Sequence, residues 1–456
     1  MTAIFSRSGW SRLALPAALL LASLLPGQAM ANLPIQHWTL PSGAQIFLVA
    51  SPSIPMVDVQ IDFDAGARRD PASQAGLAGA TASMLSAGVR AQGSLPALNE
   101  NQLGEAWADL GASFSASAGS DRMSFSMRSL TYPDLLDQAT RLAARQIGEP
   151  AFPEAVWRRE REQMNASLKE SATRPATVAA KQFARAVFGE HPYGQQSSEE
   201  SLANISVADM RERHARLIQP CRAKLSIVGA LNRAQADALA AMLLSRLVDG
   251  TGAGAACAPL PAVAEVAPLA QGVEHLLPFA SAQAHVLIGQ PGFKRDDPDF
   301  FALTVGNYIL GGSGMVSMLF AELREKRGLS YSVYSYFSPG RHAGAFTVGL
   351  QTRPDQAAQA VQVARDVLAR FVAEGPTEAE LKAAKDNLIG GFPLLIDSNR
   401  KLLGNVSNIA WNGLPLDYLS GWTQRIEKVT AAQVKAALAS KLQPSKMVTV
   451  VVGGAP

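Results

Sequence analysis

Polar and apolar residues along this chain follow two periods, and the order of those periods sets the architecture. Runs such as 112–128 and 345–352 alternate with a period of two, as half-buried antiparallel strands do, and 44–49 and 57–63 read as strands as well. In each half of the chain, strands come first, helices follow, and another pair of strands leads into further helices. Strands and helices grouped in this way predict an α+β layer architecture in preference to a doubly wound sheet.

The pattern also repeats. Residues 205–230 and 429–454 align without a gap at an offset of 224. Each segment opens on a capping box, Ser206-x-x-Asp209 or Thr430-x-x-Gln433, which satisfies the first free N–H groups of a helix. Each then passes a Gln-Pro pair, at Pro220 or Pro444, and ends in a β-branched strand closed by glycine. Upstream, Pro153-Glu154 and Pro376-Thr377-Glu378 introduce long polar helices at nearly the same offset. The chain therefore reads as a duplication, with halves at 32–248 and 273–456. The stretch between them, 249–272, is rich in Gly, Ala and Pro without a period, and reads as a linker.

Composition narrows the function. The 456 residues are 48% hydrophobic and 17% charged with a formal charge of +3, which excludes a disordered chain and lacks the basic excess that nucleic acid selects. Residues 1–31 combine Arg7 and Arg12, an apolar run at 13–25, and the small-x-small site Ala29-Met30-Ala31. They read as a secretory signal peptide cut after Ala31, which predicts a periplasmic protein without a membrane anchor. In that oxidising compartment Cys221 and Cys257 have two readings, a bridge tying the linker to the first half or two unpaired small hydrophobes.

The histidines are His37, His191, His214, His275, His285 and His342, and no two have the spacing that puts metal ligands on one helix face. The run Gly311-Gly312-Ser313-Gly314 has no following Gly-Lys-Ser/Thr, so it reads as a connector or a close backbone contact instead of a phosphate cradle. The stretch Leu323-Arg324-Glu325-Lys326-Arg327-Gly328-Leu329-Ser330-Tyr331 carries more chemistry. A helix over 317–327 would end at Gly328 and a strand would start at Tyr331, so a guanidinium and a phenol can converge on one carbonyl or carboxylate. Taken structurally, the same Arg complements a helix dipole and the Tyr is an ordinary strand residue.

That stretch resembles the C-terminal signature of the pitrilysin/insulinase (inverzincin) metallopeptidases, of the short bacterial and mitochondrial-processing type. Leu40-Pro41-Ser42-Gly43, Ala65-Gly66-Ala67-Arg68, Gly76-Leu77-Ala78 and His191-Pro192-Tyr193-Gly194 add to the likeness, which spans essentially the whole chain after the leader. The resemblance implies two homologous α/β-roll halves, each an antiparallel sheet packed with helices, forming a clamshell around a peptide chamber.

Where catalytic relatives carry H-x-x-E-H, with two zinc-holding histidines and a general base, this chain reads Gly79-Ala80-Thr81-Ala82-Ser83. Gly79, Ala82 and Ser83 are thus degenerate positions, and the family's third ligand falls on Glu160, flanked by arginines and expected to be ion-paired. The resemblance gives Arg324 and Tyr331 the substrate-side and oxyanion-binding roles. It implies no metal on this chain, zinc on a homologous partner subunit in a heterodimer, and peptide substrates. Ser113, Ser115 and Ser117, on an alternating strand, are the candidates for pairing with a peptide backbone. The alternative is a non-proteolytic peptide-binding or scaffold protein of the same fold.

Overall fold

A computed structural model describes residues 34–247 and 257–454. The expected leader lies outside them, as do the first residues of the expected linker. Six strands, β1 (Gln36–Thr39), β2 (Gln45–Ala50), β3 (Met56–Phe63), β6 (Ser113–Ala118), β7 (Met123–Leu130) and β8 (Lys224–Gly229), form one sheet in the order β1-β2-β8-β3-β7-β6. A two-residue pairing, β4 (Gly88–Val89) with β5 (Leu98–Asn99), stands apart from it. The second sheet contains β9 (Glu274–Leu277), β10 (Ala284–Pro291), β11 (Ser332–Phe337), β12 (Ala345–Thr352) and β13 (Val448–Val452), in the order β11-β12-β10-β13-β9.

Reversing the second order superimposes it on the first, with β1 left over. β2–β8 and β9–β13 are the parallel pairs, and every other neighbour is antiparallel. The run 112–128 is not one strand: residues 119–122 leave the sheet and turn it into the hairpin β6–β7. Alternation continues through both arms because both have the same buried face, so a periodicity count alone does not find the turn.

Helices follow the repeat closely. We label α1 (Leu77–Met84), α2 (Glu154–Ala172), α3 (Pro175–Phe188), α4 (Val207–Leu217), α5 (Glu378–Gly391), α6 (Asn399–Asn412) and α7 (Ala431–Lys441). Ser206 and Thr430 make the capping boxes that start α4 and α7. At the same offset of 224, α3 and α6 begin and end together, each followed by a positive-φ glycine, Gly189 or Gly413. Gly at that position ends a helix without a Cβ penalty.

The halves exchange these two helices. α3, from the first half, lies on β10 and β13 of the second sheet, and α6, from the second half, lies on β3 and β8 of the first. Ala179, Phe183 and Val187 of α3 are buried with Ala345, Val448, Val450 and Val452. Leu402, Leu403, Val406 and Ile409 of α6 share a core with Phe47, Val49 and Val228. Each half therefore completes the other's core, and the face between the sheets is occupied by the exchanged helices.

The strap after Cys257 has no regular structure up to Val273. It is held from both sides: Arg69 donates to the Pro261 carbonyl (2.5 Å), Arg222 to that of Ala258 (2.7 Å), and Lys294 pairs with Glu265 (3.1 Å). Cys221 and Cys257 are bonded, with Cα atoms 5.7 Å apart.

Candidate functional site

The segment carrying Arg324 departs from the regular helix expected over 317–327. Ser317 caps Met318–Phe320, and residues 321–325 widen into a π-turn in which Lys326 N–H donates to the Ala321 carbonyl. A second π-segment, Tyr308–Gly312, precedes it and packs on β11. Such insertions re-aim side chains and are frequent at functional sites. Gly311 allows this approach, because a Cβ there would collide with the backbone and hydroxyl of Ser335. The glycine-rich run is thus a close backbone contact. Gly328, at φ +61°, then turns the chain toward β11.

The geometry brings Arg324 and Tyr331 together. Arg324 Nη1 donates to the Tyr331 carbonyl (3.2 Å), and the guanidinium lies 4.5 Å from the Tyr331 ring centroid and 4.9 Å from that of Phe320. Two aromatic rings hold the cation in place through their electron-rich faces. The neighbouring charges are already matched, since Glu322 pairs with both Lys326 (2.8 Å) and Arg327 and is held down to about 2 by them. Arg324 has no carboxylate partner among the described residues, which leaves its remaining N–H donors for a ligand. Tyr331 is 76% exposed, so its hydroxyl reaches solvent. Tyr334 and Tyr336 follow on the outer face of β11, stacked at 5.9 Å, and β11 ends its sheet.

The other candidates belong to the first sheet. Ser113, Ser115 and Ser117 alternate outward on β6, which also ends its sheet, and α1 packs beside this strand. Gly79 and Ser83 lie on the outer side of α1, whereas Ala82 is buried. The start of α1 is fixed by Asp70, which accepts from the N–H groups of Gly76 and Ala78 and pairs with Arg213 at 2.7 Å. Burial pushes the Asp70 carboxyl up and the Arg213 guanidinium down, so desolvation outweighs their mutual attraction in both.

A zinc ion does not fit here. Gly79 and Ala82 offer no donor, Ser83 Oγ donates to the Ala80 carbonyl, and Glu160 accepts from Arg159 at 3.1 Å. Among the described residues no three His, Cys, Asp or Glu side chains are grouped closely enough to hold a metal. Three protein ligands are the minimum for a catalytic zinc centre.

Several polar residues that sequence reasoning had not joined meet between the halves. Tyr193 donates to Asp121 (2.6 Å) and accepts from the His342 N–H (3.2 Å), so the His-Pro-Tyr-Gly segment works at this seam. His191 packs edge-on against His342 at 5.1 Å, and His342 pairs with Glu265 of the strap. These residues come from four separate segments, and only the local oddity of His-Pro-Tyr-Gly marks any of them in sequence.

Two α+β halves with exchanged helices, an Arg–Tyr pair and a donor-poor α1 define a peptidase-like fold without its metal site. Residues 45–200 match the family description "Insulinase (Peptidase family M16)" and residues 204–388 match "Peptidase M16 inactive domain". A crystal structure titled as a peptidase M16 inactive domain from Pseudomonas fluorescens is 32% identical. It superposes with a TM-score of 0.85, over 92% of this chain and 98% of that one. The chain belongs to the insulinase family, peptidase family M16. An uncharacterized zinc protease of Mycobacterium leprae is 31% identical over 276 residues, 59% of this chain, and the chain spans 60% of that relative's length. A Helicobacter pylori protein named a non-peptidase homolog is 32% identical over 166 residues, 35% of this chain and 37% of its own length.

Proposed function

We propose that this chain is the substrate-binding, non-zinc subunit of a periplasmic heterodimeric metalloendopeptidase. The observation that carries this reading is Arg324, clamped between Phe320 and Tyr331 yet free of any carboxylate partner among the described residues. Arg327, in the same turn, is by contrast paired with Glu322. Metal chemistry then belongs to a homologous partner. This chain contributes the Arg324 guanidinium and the Tyr331 hydroxyl, two donors that together suit a peptide carbonyl and the negative charge it develops. The peptide would run along the free edge of β6 at Ser113, Ser115 and Ser117, where main-chain pairing gives affinity with little demand on sequence. Among the described residues no helix is long and apolar enough to cross a membrane.

The test is reconstitution with a family member carrying an intact H-x-x-E-H. Neither chain alone should cleave an unfolded peptide, and the mixture should. Arg324→Ala should lower kcat/KM of the mixture by about 10²-fold or more, the loss seen when one oxyanion donor is removed, with Tyr331→Phe somewhat less affected. Activity of this chain alone, or unchanged activity with Arg324→Ala, would overturn the reading. The name of the Helicobacter pylori relative favours a second reading, a peptide-binding or scaffold protein without proteolysis. In that case the mixture binds peptide and never cleaves it.

A further inference from the structure

Between the halves lies a cleft of about 740 Å³, walled on one side by the strap that begins at Cys257. Five cations line it: Arg68, Arg69, Arg222, Lys294 and Arg341. Three carboxylates oppose them, Asp64, Glu265 and Asp296. The pairing is uneven. Asp64 binds both Arg68 and Arg69 at 2.6 Å, and Arg68 also meets Asp121 at 3.0 Å. Glu265 is shared by Lys294 (3.1 Å) and His342 (3.2 Å). Asp296 is exposed and has no cation within ion-pair distance among the described residues.

Arg222 and Arg341 are left over. Arg222 donates to the Ala258 carbonyl and to Gln219, both neutral. The Arg341 guanidinium lies 6.0 Å from the Trp411 ring, which also faces Arg122 at 5.6 Å and Lys224 at 5.9 Å. Crowding is felt by these groups: burial lowers Lys224 and the Arg341 charge lowers it further, and burial likewise lowers Arg222. Arg222, half-buried, and Arg341, exposed, both line the one cleft without a carboxylate partner among the described residues, an arrangement that an oxyanion relieves, since charge-assisted N–H···O⁻ bonds are about twice as strong as neutral ones.

We infer that this cleft binds a small oxyanion carrying two negative charges, of phosphate or dicarboxylate type, with Arg222 and Arg341 as its main ligands. The bond between Cys221 and Cys257, both on the cleft wall, fixes the strap so that the site is formed before the ligand arrives. The site is separate from Arg324 and Tyr331 and does not depend on their role.

The experiment is calorimetric titration of the full exported chain, in chloride buffer, with inorganic phosphate and separately with succinate. One of the two should bind saturably with a stoichiometry of one and raise the thermal midpoint, and which one does so assigns the ligand type. Arg222→Ala with Arg341→Ala should weaken that binding by about ten- to a hundredfold, the loss of charge-assisted hydrogen bonds. Arg341→Lys, which keeps the charge on an exposed position, should restore part of it and controls for folding. Arg141→Ala, a surface change in an ion pair with Asp137, should leave binding intact. No saturable binding of either anion, or equal binding by the double variant, would overturn the inference.

Discussion

The two places where an exchanged helix crosses the opposite sheet are equivalent in backbone and opposite in chemistry. Through the pairing of β3 with β8 and of β10 with β13, Asp62 opposite Lys224 corresponds to Gly289 opposite Val448. At the offset of the repeat, Phe183 on α3 corresponds to Ser407 on α6. On the second sheet Phe183 fills the space above Gly289, where a Cβ would stand 2.8 Å from its ring. On the first, Ser407 donates to Asp62 (2.8 Å), a carboxylate with no exposed surface that also accepts from Gln60, Ser124 and Arg122. The duplication thus fixes where the helix lies, and leaves the contact beneath it free to be apolar or polar provided every buried polar group finds a partner.

The largest test of that comparison is Phe183→Ala. It removes a ring from a site with a glycine beneath it, which cannot refill the space. The expected loss is about 3–5 kcal/mol, read as a shift of the denaturation midpoint. A loss below about 1 kcal/mol would mean that the apolar crossing contributes little to the exchange.

The polar crossing is tested by copying the apolar one onto it. Ser407→Phe alone crowds the Asp62 carboxylate and strips it of one donor, with an expected cost of about 2–3 kcal/mol. Adding Asp62→Gly supplies the matching space and removes the stranded acid. The double variant should recover at least about 1 kcal/mol relative to the sum of the single changes. Strict additivity in the cycle would show that the two residues do not form one unit.

This pairing also shows what the sequence makes legible. The offset of 224, the capping boxes at Ser206 and Thr430, and the Gln-Pro pairs at Pro220 and Pro444 are local signals, and the helices and strands they mark stand in register. Which sheet α3 lies on is not local. Its apolar face would suit either sheet, and only the three-dimensional closure of both halves sends it to the second. Likewise Arg324 and Tyr331 could be singled out because a short helix-to-strand turn links them, but the π-turn at 321–325 also packs against the helix Ala357–Glu374, a contact that the local pattern does not contain. Arg222 and Arg341 lie 119 positions apart and come to line one cleft only after the halves join.

The smallest effect lies in another pair of equivalent positions, His214 on α4 and Leu438 on α7. His214 is buried against Phe152, and its Nε2 lies 2.7 Å from the Ile147 carbonyl. Burial holds it below its ordinary value near 6.5, so the folded ring stays neutral where the unfolded one takes a proton. With more protons on the unfolded chain, stability must fall as pH drops below about 6.5, by at most about 1.4 kcal/mol per pH unit from one group. His191 and His285 are lowered by burial too and add to the slope. His214→Leu, the residue that the repeat itself carries, should flatten the decline between pH 6.5 and 5.5 by up to one proton while leaving the contributions of His191 and His285. Denaturation at the two pH values measures this slope independently of any fixed cost from the lost contact with Ile147. An unchanged slope would mean that His214 gains its proton without unfolding, and that the histidine and the leucine are equivalent in electrostatics as well as in position.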